Sequence, residues 1–457
     1  MLKRTLKRIA QTVWGKFESK EEIIKFSLLG LIFGLIIGCY WTLRPIKDSI
    51  FAAMVGVDYQ PIAKWVSLVV VSTLVLVYGK LVDTFSRDRV FYILTSIYAL
   101  AAFSFAWAFS NPEIGLQNTV LDPMRITGWL WYVYVESFGS LIVALFWSFT
   151  TDITDENAAK RGFPLIAMLG QLGNIVGPLF LRAERLGFAH SGPVVAIGGI
   201  MTLAIGILIW VFMRVVPASQ LKGYEGKETK EEKKMHDEPG FFDGLKLLFT
   251  QPYLMGIFLI ITIYEVVITI IDFQLKSAAK SAYPTEKAMA NFLADFGVMT
   301  GVISMLCVLL GINSIQRIMG TTASLVFVPL LVAMGVVAVW VHPTLGIVFW
   351  VMAIGKAINY ALNQPTIKQL YIPTTKETKY KSTAWIEMFG SRGAKASGSA
   401  INAVKLFLTR KFGPAGTAMF LNVSVGASLG LIGIWLLVVV YVARIYNKAI
   451  KHNEVVC

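Results

Sequence analysis

Apolar runs of about 20 residues recur along the chain, and this feature limits the possible fold more than any other. A helix of that length, rising about 1.5 Å per residue, spans the hydrocarbon core of a bilayer. Apolar residues form 56% of the 457 residues, against about 45–50% in soluble proteins. The sequence therefore predicts an all-α polytopic membrane protein with twelve transmembrane helices, near residues 25–46, 62–82, 90–110, 128–152, 163–182, 192–215, 252–275, 289–311, 320–341, 344–367, 383–405 and 417–443.

A polar stretch in the middle of the chain separates the runs into two groups of six. Its Lys and Glu runs carry no hydrophobic periodicity, which is typical of a solvated linker, and Phe241–Phe249 at its end is predicted to form a short amphipathic helix. The predicted domains are an amphipathic N-terminus (1–24), a six-helix bundle (25–216), the linker with its short helix (217–250), a second six-helix bundle (251–446) and a tail (447–457).

A weak internal repeat relates the two groups. Two patterns recur at the same place in each group, with a slip of one residue between them: Thr154, Glu156 and Lys160 as Thr375, Glu377 and Lys381, and Gly170-x-x-Gly173 as Gly390-x-x-Gly393. Since repeated patterns at corresponding places indicate a repeated structural unit, a duplicated six-helix half is predicted.

The formal net charge is +14, and its distribution follows a membrane topology. Lys and Arg are concentrated in the termini and in the alternate loops that share their side, so the positive-inside rule predicts that both termini lie in the cytoplasm. The sequence has no basic stripe with interleaved aromatic residues, so no nucleic-acid partner is predicted. The cysteines Cys39, Cys307 and Cys457 are scattered, so neither a disulfide framework nor a metal site is predicted.

Ionisable residues in the interior of the runs are the clearest functional signal. One ionised side chain at the bilayer centre costs about 2.5–3.5 kcal/mol on insertion scales, so such residues usually face a bundle interior or a water-filled path. They fall in runs one, four, seven, eight, ten and eleven, and the interiors of runs three, six, nine and twelve have none. This distribution resembles the major facilitator architecture, in which two pseudo-symmetric halves enclose a central cavity lined by helices one, four, seven and ten.

The loop after the second run also resembles that superfamily. Its signature G-x-x-x-D-R-x-G-R-R is matched at Gly79, Asp83 and Arg87, with Thr84 and Ser86 in place of Arg and Gly. A short loop that holds an acid and arginines beneath a helix end is predicted to form a breakable latch between helices.

The first run ends in a patch of three charged residues. Arg44, Lys47 and Asp48 stand at i, i+3 and i+4, which places them on one helical face. One interpretation is that they snorkel to the membrane interface. The other is that Pro45 kinks the helix and turns the patch toward a cavity.

Further candidates lie inside the later runs. Several follow each other at helical spacing, so these helices present polar stripes that need a wet or paired environment. Together with Arg44 and Lys47, the candidate substrate-binding residues are Glu136, Asn174, Asp272, Lys276, Asp295, Lys356, Tyr360, Arg392 and Lys395, with Glu387 on the same predicted helix as the last two.

Several motifs, present in the correct order, resemble the nucleotide transporter family, the ATP:ADP antiporters of plastids and obligate intracellular bacteria. The resemblance runs through most of the chain. The matching segments are residues 43–48 (LRPIKD, like L-R-D-x-K-D), 272–276 (DFQLK, like E-V-T-W-K), 294–296 (ADF, like G-D-F), 371–373 (YIP) and 393–399 (GAKASGS, like L-G-K-S-G-G).

This resemblance implies a carrier that exchanges or imports nucleotides. The family requires four charged residues for transport, which match Lys47, Glu136, Asp272 and Lys395. Its members range over ATP/ADP exchange, NAD/ADP exchange and proton-coupled nucleotide import. The choice stays open, because Pro45 replaces an acid and residues 362–368 (LNQPTIK) replace a pattern close to F-D-P-T-K-E. A carrier of other organic anions on the same fold is a further alternative.

The prediction is ATP/ADP exchange by a monomer in a bacterial inner membrane, with a nucleotide and membrane lipids as its partners. No cofactor is implied. An enzyme is not predicted, because all four histidines lie in loops, the linker or the tail and the sequence has no G-x-x-x-x-G-K-[ST] phosphate loop.

The predicted mechanism assigns the phosphates to two lysines and two arginines, since lysine offers a point charge and arginine a planar fork. These are Lys47, Arg44, Arg392 and Lys395. Acids pair with these cations in the empty site, so return without cargo is disfavoured. Glu136 and Asp295 are predicted to be acids that no lysine neutralises, and therefore candidates for proton uptake. The base is predicted to stack on an aromatic residue, such as Trp41, Tyr132, Tyr264 or Tyr360.

Overall fold

The computed structural model describes most of the chain: residues 17–221, 243–309, 313–375, 386, 390–452 and 454–456. Within these ranges, the side chains of residues 82, 83, 156, 157, 160, 243–245, 308, 309 and 313–319 are not described. Most of the predicted amphipathic N-terminus, most of the predicted linker and Glu387 lie outside the described residues.

The described residues form twelve long helices and no β-strand, so the predicted all-α fold class is confirmed. An eight-residue helix, Asp243–Thr250, lies where a short amphipathic helix is predicted. The long helices are α1 (Lys20–Phe51), α2 (Gln60–Thr84), α3 (Arg87–Ser110), α4 (Ile126–Asp152), α5 (Glu156–Phe180), α6 (Gly192–Val215), α7 (Pro252–Ala282), α8 (Glu286–Leu309), α9 (Asn313–Val341), α10 (Leu345–Ile358, continued by the π-helical turn Asn359–Asn363 and by Gln364–Leu370), α11 (Ser391–Phe412) and α12 (Pro414–His452).

Ten helical spans in the described part of the chain are long and apolar enough to cross a membrane. The first of them, Lys20–Leu81, contains α1 and almost all of α2. Helix α11 is not among these spans, because five lysines and arginines make it more polar than the others. Its 22 residues correspond to about 33 Å at 1.5 Å per residue. This length suffices for a crossing, which stays a prediction.

Large apolar side chains are exposed along several helices. Leu76, Leu100, Trp107 and Leu437 are between 70% and 73% exposed. A soluble monomer rarely exposes extended apolar surface of this kind, whereas a protein surrounded by acyl chains does. Together with the apolar spans, these surfaces identify a multi-pass membrane protein.

Polar residues set the start of α1. Ser19 Oγ accepts a hydrogen bond from the Glu22 N–H at 3.0 Å, and Glu22 Oε2 accepts one from the Glu18 N–H at 2.6 Å. These bonds satisfy backbone donors near the helix start, where the first turn has no partners of its own. The helix then extends to Phe51, beyond the predicted end at residue 46.

The chain divides into two compact units. Unit 1 comprises Met1–Gly56, Val69–Lys227 and Tyr283–Val298, and unit 2 comprises Val57–Leu68, Glu228–Ala282 and Met299–Cys457. The first turns of α2 therefore belong to unit 2, and the first half of α8 belongs to unit 1. The predicted bundle boundaries at residues 216 and 251 stay a prediction, because residues 222–242 lie outside the described part of the chain.

Helix α1 packs closely on α5 in unit 1 because glycines replace larger side chains at the contact. A Cβ added to Gly34 would lie 2.9 Å from the carbonyl oxygen of Leu169, and one added to Gly38 would lie 3.3 Å from that of Gly173. Small residues of this kind let two helix backbones approach each other in a membrane. Helix α1 also packs on α4, and α3 packs on α6.

The same pairing recurs six helices later in unit 2. Helix α7 packs on α11 and on α10, and α9 packs on α12, which supports the predicted duplication. A Cβ added to Gly398 of α11 would lie 2.9 Å from the carbonyl oxygen of Val266, so a glycine again permits a close approach. Gly398 is not part of the repeated pattern. Of the two glycines that are, a Cβ added to Gly390 would lie 3.0 Å from a ring carbon of Phe258 on α7, and no described atom lies within 4 Å of one added to Gly393.

Candidate functional site

A buried lysine on α1 is the centre of a charged cluster in unit 1. Lys47 is 3% exposed, and its ammonium group donates a hydrogen bond to Glu136 Oε1 on α4. Asp48 Oδ1 lies 3.7 Å from the same nitrogen, and the ring centroid of Tyr132 lies 4.3 Å from it. We call these four residues the Lys47 cluster.

Helix geometry explains the cluster. Tyr132 and Glu136 are four residues apart on α4, so both side chains lie on one helical face, and that helix packs on α1. Burying an ammonium group without partners is strongly unfavourable. Two carboxylates and an aromatic face therefore stabilise Lys47 at this depth. One turn earlier, Arg44 stacks on Trp41, with 4.7 Å between Cζ and the ring centroid.

The structure corrects three expectations about this patch. Snorkelling is wrong for Lys47 and Asp48, because both are buried. A helix end near residue 46 is wrong, since α1 continues through Pro45 to Phe51. The expectation that no lysine neutralises Glu136 is also wrong, because Lys47 pairs with it.

A second charged cluster lies in unit 2 around a buried carboxylate on α7. Asp272 Oδ2 lies 2.7 Å from Lys276 Nζ and 3.8 Å from Lys64 Nζ. Asp272 Oδ1 accepts a hydrogen bond from Lys356 Nζ at 3.2 Å. The three lysines come from α7, α2 and α10, respectively. We call these four residues the Asp272 cluster.

Three lysines around one carboxylate are suited to binding an anion. Lysine ammonium groups donate charge-assisted hydrogen bonds, which are shorter and stronger than neutral ones, to carboxylate and phosphate oxygens. Asp272 and Lys276 meet because they are four residues apart on one helix. The sequence predicts Asp272, Lys276 and Lys356 as site residues but misses Lys64, which lies close to the start of the predicted run 62–82, where a charge is expected to be solvated.

Polar contacts in unit 2 hold the first turns of α2, which carry Lys64. Lys405 Nζ donates a hydrogen bond to Asp58 Oδ1 at 2.8 Å. The Trp65 indole N–H donates one to the carbonyl oxygen of Ala396 at 2.8 Å. Because these contacts lie on both sides of Lys64 in the chain, they fix the backbone from which its side chain extends.

Polar contacts in unit 1 hold the first half of α8. Glu286 Oε1 accepts a hydrogen bond from Ser49 Oγ at 3.0 Å, and its Oε2 accepts one from the Ser191 N–H at 3.2 Å. Farther along α8, Asp295 Oδ1 lies 2.7 Å from Arg182 Nη1. Asp295 is therefore not an uncompensated acid. Glu286 is not among the residues that the sequence predicts, because it precedes the predicted run 289–311.

The remaining candidate residues lie outside the two clusters. Asn174 is buried on α5, and its Nδ2 lies 3.5 Å from Gln171 Oε1. Tyr360 is exposed in the π-helical turn of α10. In the first turns of α11, Arg392 is half-buried and Lys395 is exposed. Their roles in substrate binding stay predictions.

The predicted latch after α2 contains an ion pair within unit 1. Arg87 Nε lies 2.5 Å from Asp152 Oδ2 at the end of α4, and it also donates a hydrogen bond to Ser148 Oγ at 2.9 Å. The start of α3 is thereby joined to the end of α4. The side chain of Asp83, the acid of the predicted loop signature, lies outside the described part of the structure.

A cavity of about 530 Å³ opens between α1 and α5 in unit 1. Its lining consists of glycines and large apolar residues such as Leu172 and Phe180. Since a charged ligand without polar partners is costly to bury, this cavity does not suit a nucleotide.

Comparison with known proteins supports a common origin over most of the chain. A family model described as TLC ATP/ADP transporter matches residues 2–446. ADP,ATP carrier protein 1 of Rickettsia prowazekii is 24% identical over 89% of this chain and 90% of its own length. ADP,ATP carrier protein 1 of Chlamydia pneumoniae is 27% identical over 95% and 94%. The chloroplastic ADP,ATP carrier protein 1 of Arabidopsis thaliana is 27% identical over 84% and 68%.

Solved structures of other transporters share the fold. A mutant of the nucleoside transporter NupG matches with a TM-score of 0.63 and 13% identity, over 91% of this chain and 99% of that one. A D-xylose-proton symporter matches with a TM-score of 0.61 and 14% identity, over 90% and 97%. At such identities the likeness concerns the fold alone. This fold is of the major facilitator type, as the distribution of charged residues predicts.

Proposed function

Since the chain belongs to the TLC ATP/ADP transporter family, we propose that it carries adenine nucleotides across a membrane and exchanges ATP for ADP by alternating access. The observation that carries the proposal is a buried charged cluster at equivalent helices of each unit. Lys47 on α1 pairs with Glu136 on α4, the first and fourth helices of one set of six. Asp272 on α7 pairs with Lys356 on α10, the first and fourth helices of the other set.

The clusters supply the cations that a nucleotide needs. ADP and ATP carry several negative charges on their phosphates, and ammonium groups donate charge-assisted hydrogen bonds to phosphate oxygens. Lys47, Lys276 and Lys356 are buried, so water screens their charge less than at an exposed surface. At Lys47 a phosphate oxygen can take the place of a carboxylate oxygen, and in the Asp272 cluster it can join the lysines beside the carboxylate. Each ammonium group thereby keeps an anionic partner.

The same pairing explains a preference for exchange. Removing one partner from a buried ion pair leaves an uncompensated charge, which is strongly unfavourable. Where a conformational change separates Lys47 from Glu136 or Lys356 from Asp272, bound phosphates replace the lost partner. The loaded carrier is therefore expected to change conformation faster than the empty one.

The acids considered for proton uptake both have cationic partners. Glu136 pairs with Lys47, and Asp295 pairs with Arg182. Each of these carboxylates therefore already has a cation as its partner. These pairs favour exchange over proton-coupled import.

The proposal includes the placement of the carrier. Both termini are expected to lie in the cytoplasm, because lysines and arginines are concentrated in the termini and the loops on their side. The membrane is expected to be a bacterial inner membrane, in which the protein acts as a monomer surrounded by lipids.

Purified protein in liposomes tests the proposal. Uptake of labelled ADP is expected to be several times faster into liposomes loaded with ATP than into empty ones. Equal uptake into loaded and empty liposomes would overturn exchange. Loading with NAD instead of ATP tests dinucleotide exchange, and an imposed pH gradient without internal nucleotide tests proton coupling.

Single substitutions test the phosphate role of two predicted residues. Lys47→Gln and Lys395→Gln are each expected to reduce ADP uptake about 10–100-fold, because a hydrogen bond to a charged group contributes about 1.5–3 kcal/mol. The matched control is Lys411→Gln, at an exposed lysine in the last turn of α11, which is expected to leave uptake unchanged. Unaltered uptake and KM in either variant would remove that lysine from phosphate binding.

A further inference from the structure

Lys64 differs from the other two lysines of the Asp272 cluster in position and exposure. Its Nζ lies 3.8 Å from the nearest Asp272 oxygen, against 2.7 Å for Lys276 and 3.2 Å for Lys356. Its side chain is 18% exposed, against 8% and 11%. Of the three lysines, Lys64 is thus the farthest from the carboxylate and the easiest for a ligand to reach.

The charges of the cluster attract an anion. Its four side chains are three lysines and one carboxylate, so basic groups outnumber the acid. Each lysine ammonium group has three N–H donors, so Lys64 can contact Asp272 and a phosphate oxygen at the same time. Lys276, which is on the same helix as Asp272, and Lys356 keep the carboxylate in place when the ligand arrives.

The backbone around Lys64 is fixed, which makes it a defined binding group. The Asp58–Lys405 pair and the hydrogen bond from Trp65 to Ala396 hold the first turns of α2 within unit 2. The side chain of Lys64 can therefore reach a ligand from a held backbone. A cation on such a support is a preorganised contact for an anionic group of the ligand.

We propose that Lys64 binds the terminal phosphate of the nucleotide and thereby makes the carrier select nucleotides by their number of phosphates. The proposal rests on the proposed function and names the part of the substrate that the Asp272 cluster recognises. ATP and ADP extend a phosphate to Lys64, whereas AMP does not reach it.

Competition against labelled ADP measures this selection in liposomes loaded with ATP. Lys64→Gln is expected to raise the inhibition constant of unlabelled ATP about tenfold, because it removes a hydrogen bond to a charged group. The inhibition constant of AMP is expected to stay unchanged. Lys64→Arg keeps the charge, so ATP and ADP are expected to remain stronger inhibitors than AMP in this variant.

The outcomes of this experiment separate the two proposals. If Lys64→Gln raises the inhibition constants of ATP, ADP and AMP equally, or raises none of them, the role of Lys64 is overturned and the proposed function stays intact. A failure of the unchanged protein to transport ADP and ATP overturns the proposed function itself.

A measurement on the unchanged protein covers the case in which Lys64→Gln does not fold. An amine-reactive reagent labels lysines, and mass spectrometry follows Lys64. ATP is expected to slow its labelling more than ADP does, while AMP and inorganic phosphate leave it unchanged. Equal protection by inorganic phosphate would indicate a site for free anions, and no protection by ATP would place Lys64 outside the binding site; either result overturns the proposal. The exposed Lys411 is the internal control.

Discussion

The two charged clusters lie on equivalent helices but have opposite charge patterns. In the Lys47 cluster one lysine lies between two carboxylates, whereas in the Asp272 cluster one carboxylate lies among three lysines. The cation is on α1 and an acid on α4 in unit 1, and the acid is on α7 and a cation on α10 in unit 2. The repeated helix packing therefore carries two chemically different groups of side chains.

This difference predicts different responses to a phosphate. The lysines of the Asp272 cluster each have three N–H donors, so a phosphate can join the cluster while Asp272 stays. At Lys47 a phosphate must compete with two carboxylates. The side chain of Glu136 is 34% exposed and that of Asp48 only 5%, so Glu136 is the carboxylate that is expected to give way.

The largest loss of stability and uptake is expected when Asp272 is replaced, because three lysines share its carboxylate. Asp272→Asn removes the carboxylate from a cluster whose members are all mostly buried. Breaking a buried ion pair by removing one partner costs about 3–5 kcal/mol. The variant is expected to unfold at a clearly lower temperature than the unchanged protein and to lose nucleotide uptake.

Thermal unfolding in detergent, together with uptake into liposomes, measures this effect. Asp272→Glu keeps the charge and is expected to recover part of the stability. Glu265→Gln, a half-buried acid on the same helix, is the control and is expected to have a smaller effect. If Asp272→Asn were as stable as the unchanged protein, the three lysines would not depend on this carboxylate, and the contrast between the two clusters would fail.

Substitution of Glu136 is expected to reduce stability less than substitution of Asp272 and to tighten nucleotide binding. Glu136→Gln leaves Lys47 with Asp48, whose Oδ1 lies 3.7 Å from its ammonium nitrogen, so the loss of stability is expected to be smaller than in Asp272→Asn, where three lysines lose their carboxylate. Because one competitor of the phosphate loses its charge, the KM for ADP is expected to fall. Exchange is expected to slow, because Lys47 then holds the phosphate more tightly.

Steady-state uptake of ADP over a range of concentrations checks this prediction. Ser140→Ala, one turn farther along α4, serves as a control, since the Ser140 hydroxyl donates to the backbone carbonyl of Glu136 at 3.0 Å and not to its carboxylate. A raised KM in Glu136→Gln would show that Glu136 contacts the nucleotide directly and does not compete with it.

The number and order of the helices were predictable, because a bilayer imposes a similar length on every span. The helix ends were less predictable, since they depend on tertiary partners. Helix α1 begins at Lys20 and not near residue 25. Lys25 is buried in its first turns because its Nζ donates to the carbonyl oxygens of Ile153 and Gln220. No local pattern around Lys25 reveals these acceptors.

The candidate site was predictable where a charge lies well inside an apolar run. Lys47 and Asp272 stand out in the sequence for this reason, and both are centres of buried clusters. Lys64 and Glu286 do not stand out, since Lys64 lies near the start of one run and Glu286 precedes another, at positions where charges are normally solvated. The packing of α2 and α8 places Lys64 beside Asp272 and buries Glu286. Lys395 is the opposite case: it lies inside a predicted run, but its side chain is exposed.

The smallest effect on uptake is expected when Asp295 is replaced, although this residue belongs to the family-like motif at residues 294–296. Its side chain is 63% exposed, while Arg182 is buried and also donates a hydrogen bond to the carbonyl oxygen of Pro178 at 2.9 Å. Pairs with an exposed partner contribute about 0–1 kcal/mol, so Asp295→Asn is expected to keep ADP uptake within about fivefold of the unchanged protein. Arg182→Gln is the matched variant and is expected to reduce thermal stability more, because it alters the buried member of the pair. A loss of uptake in Asp295→Asn as large as that in Asp272→Asn, without a loss of stability, would mean that Asp295 contacts the nucleotide, and the comparison of two clusters would have to include α8.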